Sequence, residues 1–262
     1  MRFVTAAALI VFVSMPVRAG DRLTDRDVKA LVEKIDDGRD KFESELDNDL
    51  KHTVVRSATG EMDVKRALDD FKESVDRLKD RLKPEYSAST EATAVLRRAT
   101  ALDAFIKQQP AGLKGASEWN RLAADIKTLA AAYGADFPLG EGASVRRIGD
   151  QEVATAAEQL AKAGEQLKKS LDADLKKSTT VSAQDRQGAI ADAEQWSKDA
   201  KALRDRVKDG KPSSAEAERV TADAAKLKAF VEGKTLPASA AAWSSASAPL
   251  QTLAQAYGAG GK

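Results

Sequence analysis

One hexapeptide occurs twice in this chain, and its recurrence constrains the fold more than any other feature. Leu46-Asp47-Asn48-Asp49-Leu50-Lys51 returns as Leu171-Asp172-Ala173-Asp174-Leu175-Lys176, 125 residues later. At that offset the apolar positions of long stretches superpose. Val153, Leu160, Leu167 and Leu171 fall on Val28, Ile35, Phe42 and Leu46. Ala189, Ala193, Trp196, Ala200, Leu203 and Val207 fall on Val64, Leu68, Phe71, Val75, Leu78 and Leu82. Ala217, Val220, Ala224, Leu227 and Val231 match Ala92, Val95, Ala99, Leu102 and Ile106. One residue is then lost, and Trp243, Ala246, Leu250, Leu253 and Tyr257 match Trp119, Leu122, Ile126, Leu129 and Tyr133. Apolar positions persist while surface identities drift, which is the signature of an internal duplication.

Each matched series steps by three and four residues, the spacing that lays one apolar stripe along a helix and, sustained, a coiled-coil-like a/d seam. Breaks fall where helices cannot continue: at Thr59-Gly60, at Pro84, at Gln109-Pro110-Ala111-Gly112 and at Gly134. Residues 135–149 carry three glycines and one proline without helical period and read as a linker. The expected fold is all-α: two tandem repeats of about four antiparallel amphipathic helices each, four-helix-bundle-like. The expected divisions are 1–19, a signal peptide; 20–138, the first helical repeat; and 139–262, linker and second repeat. Within them, the first helix is expected to start at Thr24 or Asp25 and run to about Ser57, and Ser213 with Glu216 to form a capping box. The competing architecture is one continuous helical array in which the halves share a core.

Arg2, the apolar run 3–13 and Val17-Arg18-Ala19 before Gly20 have the order of a cleavable secretory signal. The run is shorter than the roughly 20 residues a membrane-spanning helix needs. The expected location is therefore periplasmic or secreted. No cysteine is present, which excludes disulfides, a lipid-bearing cysteine and thiol chemistry. Losing Arg2 and Arg18 with the signal takes 42 basic residues to 40, against 41 acidic ones. Near-neutrality gives no general attraction to nucleic acid or to an anionic bilayer, so neither is expected as a partner. Hydrophobic residues still make up 42%, enough to bury a core rather than remain disordered.

Candidate chemistry is sparse. Asp49 and Asp174 recur at or beside the first seam, three residues after Leu46 and Leu171. A carboxylate there could bind a cation or ligand inside each bundle, or sit at the stripe edge and pair with lysine or arginine; the second arrangement is the commoner one. His52, the single histidine, forms Asp-x-x-His with Asp49, but the matched position is Lys177. Metal sites need several convergent ligands, so no metal and no cofactor are expected. Trp119 and Trp243, Tyr133 and Tyr257, Phe105 and Phe230, and Phe71 with Trp196 lie on or beside seams, where core packing is the default. Phosphate-binding, nucleotide, serine-hydrolase and zinc-protease motifs are absent. The expected function is a non-catalytic interaction or structural module of the cell envelope, with an unidentified protein or envelope partner. The alternatives are a small-molecule or metal carrier with a site in each bundle, and a carboxylate-based hydrolase or lyase.

Overall fold

The computed structural model describes residues 22–57, 60–109, 113–178 and 181–258, and the segment read as a signal peptide lies outside them. Among the described residues the chain is predominantly helical. The helices are α1 (Asp25–Glu45), α2 (Asn48–Lys51), α3 (Val64–Arg81), α4 (Ser89–Lys107), α5 (Ala116–Ala132), α6 (Asp150–Lys177), α7 (Ala183–Lys208), α8 (Ser214–Glu232), α9 (Pro237–Ser244) and α10 (Ser247–Gly258). β1 (Val54–Ser57) and β2 (Gly60–Asp63) form one antiparallel ribbon.

The seams become the packing faces. Thr24 caps α1 by accepting the Asp27 N–H, while the Asp27 carboxylate accepts the Thr24 N–H at 3.1 Å. α1 and α4 each pack against both α3 and α5, closing four helices on an apolar cluster that runs from Val28 to Val145. In the second half α6 packs on α7 and α7 on α8, while α6 and α8 both meet α9 and α10. Their cluster runs from Ile148 to Tyr257 and shares no buried residue with the first. Gly164 brings α6 close to α7: a Cβ there would lie 3.0 Å from the Cβ of Ser197 and 3.2 Å from its backbone.

Three local expectations are corrected. The first helix stops at Glu45 rather than near Ser57. Asp47 accepts the Asp49 N–H at 2.9 Å and opens a separate short helix. After Thr53, the β-branched pair Val54-Val55 opens a ribbon in the register Val54↔Asp63. In the second half Asn48 is replaced by Ala173, the best helix former, and α6 continues unbroken to Lys177. Second, the fourth helix of the second half is split into α9 and α10. Pro249 is accommodated in the first turn of α10, where a backbone N–H has no intrahelical acceptor. Third, the Ser213–Glu216 capping box does not form. Ser213 Oγ instead lies 2.7 Å from the buried Tyr257 hydroxyl, and Glu216 pairs with Arg206 and Arg219. A buried phenol needs a hydrogen-bond partner, and Ser213, itself buried, supplies it.

The segment 135–149 is docked, not loose. Thr100, Thr93 and Ser89, along one face of α4, accept the backbone N–H groups of Leu139, Val145 and Arg147 at 2.9, 3.2 and 3.2 Å. Arg97, on the same face, donates to the Ala143 carbonyl at 2.9 Å. Leu139, Val145 and Ile148 bury their side chains.

Candidate functional site

The segment 135–149 delivers α6 head-on to the start of α1, and the contact there is reciprocal. Asp25 and Asp150 open the two helices and stand 125 residues apart. Each carboxylate accepts the other's backbone N–H at 2.8 Å. Arg22 donates to Asp150 at 2.5 Å and to the Ile148 carbonyl at 2.8 Å. Arg147, matched to Arg22 at the same offset, donates to Asp25 at 2.8 Å and to the Leu23 carbonyl at 2.6 Å. Helix starts leave N–H groups unpaired and carry partial positive charge, so each acid is stabilised by two helix ends at once. Both arginine side chains are buried, at 6% and 2% exposure. Gly149 permits this approach: a Cβ would stand 2.8 Å from Ser87 Oγ and 3.3 Å from an Asp25 carboxylate oxygen. Tyr133 donates to the Ser87 carbonyl at 2.7 Å, and burial pushes its hydroxyl well above the ordinary phenol range. Tyr257, under the Arg22 guanidinium at 5.7 Å, is raised for the same reason.

Beside this junction lies an open cleft of about 770 Å³. One wall is residues 84–90, from the connection between α3 and α4 and the first turn of α4. The other is α6, which presents Gln151, Thr155 and Gln159 at intervals of four residues, one helix face. Ser144 and Arg146 from the docked segment and Thr252 from α10 complete the lining. The 84–90 wall is built firmly. Lys83 and Tyr86 exchange backbone hydrogen bonds at 3.1 and 2.9 Å. The Tyr86 hydroxyl donates to Glu91 at 3.0 Å, and the Arg81 guanidinium sits over its ring at 5.3 Å. Even so, Tyr86 remains 40% exposed. Ala88, fully buried, adopts left-handed φ 49° and ψ 41°, a conformation costing a non-glycine residue about 1–2 kcal/mol. Such strain is often held at functional sites.

The two matched acids have unlike surroundings. Asp49 is exposed in the first turn of α2. Asp174 is half-buried and accepts both the backbone N–H and the hydroxyl of Ser239 at 2.8 Å, so it caps α9 from a distance. Asp174→Ala should therefore lower stability by about 0.5–2 kcal/mol, the usual loss for a helix cap. Asp49→Ala should change it by less than about 0.5 kcal/mol. Chemical denaturation of the two variants checks the contrast. His52 Nδ1 lies 2.9 Å from the Asn48 carbonyl at the surface. Among the described residues no three histidine, aspartate or glutamate side chains converge in a way that could hold a metal ion.

The aromatic pairs fill the cores. Trp119 packs against Phe42 with centroids 5.1 Å apart and donates to Asp103 at 3.1 Å. Trp196 stacks on Trp243 at 5.4 Å and donates to the Val220 carbonyl at 3.0 Å. One carboxyl stands apart electrostatically. Burial, a hydrogen bond with Asp199 and the nearby charge of Asp192 push Asp223 above the usual aspartate range, against the pull of Lys226. A raised folded-state value means the native protein holds that proton more tightly than the unfolded chain. The resulting penalty is fully present above the folded value and fades as pH falls through it. Asp223→Asn should then raise the melting temperature at neutral pH, with the gain vanishing in acid; thermal melts across pH check it.

The junction and the cleft were not anticipated from the sequence. The signal for the junction was present: Arg22 with Arg147 and Asp25 with Asp150 obey the offset read from the apolar positions. Comparison with protein-family models, with curated proteins and with solved structures finds no match to this chain.

Proposed function

We propose that this chain is an exported, non-catalytic helical module of the cell envelope, built from two duplicated four-helix units, that binds a partner in the cleft beside their junction. One observation carries this reading: the large aromatic side chains of the helical seams are spent on two packed cores, while a firmly walled polar cleft, with Tyr86 at its edge, is left open between the halves. Trp119, Trp196, Tyr133 and Phe71 are at most 1% exposed, and a filled core offers no room for a carried ligand. The 125-residue correspondence of Arg22, Leu23 and Asp25 with Arg147, Ile148 and Asp150, contact for contact, supports the duplication. The order of charged, apolar and small residues over 1–19 supports export, and the mature protein from its host should begin at Gly20.

The test places a photo-crosslinking residue at Gln159, inside the cleft, and separately at Gln195, on an exposed face of α7 outside it. The native host should yield a discrete envelope adduct from position 159 and none from 195. Equal capture at both positions, or none at 159, would overturn the assignment. The carrier alternative makes a different demand. Native mass spectrometry would then show two small adducts per chain that disappear in the Asp49→Ala/Asp174→Ala double variant.

A further inference from the structure

We infer that the ligand of this cleft is a neutral oligosaccharide chain, an inference that rests on the binding-module reading above and names its ligand class. The lining is unusual for this chain. Charged residues make up 32% of the sequence, yet one face of α6 brings Gln151, Thr155 and Gln159 to the cleft with Glu152 beside them, and the wall opposite offers Tyr86, Ser87 and Thr90 with Glu85. Hydroxyls and primary amides both donate and accept hydrogen bonds, as sugar hydroxyls do, so either member of a pair can supply the proton.

The charges at the cleft do not select an ion. Arg147 is committed to Asp25, and Glu152 accepts the Gly149 N–H at 3.3 Å. Arg146 and Glu85 bring opposite charges to the lining. A phosphate-bearing or cationic ligand finds no surplus charge of the sign it needs. A peptide would look for a sheet edge or an apolar pocket for its anchors; the apolar lining residues Ala88, Val145 and Ala156 are themselves buried, and Pro84 is exposed on the rim rather than set in a pocket. Tyr86 supplies what a sugar ring uses besides hydrogen bonds, an aromatic face for its C–H surface. The ring is already oriented by Arg81 and Glu91, so little entropy is lost in fixing it. A volume of about 770 Å³ suits a short chain of sugar units within the usual range of ligand sites.

Packing alone does not require this lining. At the 125-residue offset, Gln151, Thr155 and Gln159 correspond to Arg26, Ala30 and Lys34, and Tyr86, Ser87 and Thr90 correspond to Lys211, Pro212 and Ala215. The matched positions are mostly charged or apolar, so the neutral polar surface belongs to one side of the junction only.

The test titrates the mature full-length chain with cellotetraose and with chitotetraose, followed by saturation-transfer NMR and calorimetry. At least one tetrasaccharide should bind. Tyr86→Ala and Gln159→Ala should each weaken that binding about tenfold; the exposed Gln159 can be replaced without moving the melting temperature, so its variant separates ligand contact from the structural part Tyr86 plays against Glu91 and Arg81. Gln166→Ala, on an exposed position of α6 outside the cleft, should leave it unaltered. Failure of both sugars to bind at about 10 mM, or binding indifferent to Tyr86 and Gln159, would overturn the ligand class. If crosslinking at position 159 still captures a partner, the saccharide assignment alone falls; if it captures none, the module reading falls with it.

Discussion

Arg147→Ala is expected to cost the fold about 3–5 kcal/mol, the loss found when one member of a buried ion pair is removed. Its guanidinium is the most committed cation of the junction. It donates to the Asp25 carboxylate and to the Leu23 carbonyl, and it reaches the Ala132 carbonyl at 3.4 Å. Alanine would leave the Asp25 charge and two carbonyls without that donor in a site where the arginine side chain is only 2% exposed. Arg147→Lys should recover only part of the loss, because a single ammonium cannot reproduce the fork that contacts carboxylate and carbonyl together. The shape of the urea transition carries as much information as its midpoint. The two apolar clusters touch the same junction but share no buried side chain, so weakening the junction should split one cooperative transition into two. A loss below about 1 kcal/mol with an unsplit transition would mean that the reciprocal contacts do not couple the halves.

The helical class and the seams were legible because packing imposes a period that no surface drift erases. Val64, Leu68, Phe71, Val75 and Leu78 are buried in α3, as their three-four spacing demands, and Ala193, Trp196, Ala200 and Leu203 are buried in α7. What escaped was decided by competition between weak local signals. Over residues 46–57 the apolar spacing through Leu46 and Leu50 argued for a continued helix, whereas Asp47 as a cap and three β-branched residues favoured a break and a ribbon. Ser213 and Glu216 have the spacing of a capping box, but a tertiary partner, the Tyr257 hydroxyl, took the serine. Asp174 and Asp49 look equivalent in sequence. The α9 start that uses Asp174 comes from a segment, 237–244, where the second half has a separate helix. The cleft was least legible of all. Its walls come from four separated segments, and hydroxyls and amides have no period of their own to announce a site.

Trp196→Ala should also cost about 3–5 kcal/mol, but through a different mechanism and in one half only. The indole is fully buried, stacks on Trp243 and gives its N–H to the Val220 carbonyl, so truncation opens a cavity and removes a buried hydrogen bond together. Trp119→Ala is the matching lesion in the first half, removing the contact with Phe42 and the donor to Asp103. Because the two indoles belong to separate clusters, the losses in the double variant should add to within about 0.5 kcal/mol. In a background already uncoupled by Arg147→Ala, each tryptophan variant should move only its own transition. A coupling energy well above that margin between Trp119 and Trp196 would point instead to a single shared core. The cleft would then lie on the flank of one domain rather than at the meeting of two, and a ligand bridging its walls would no longer report on how the halves are held together.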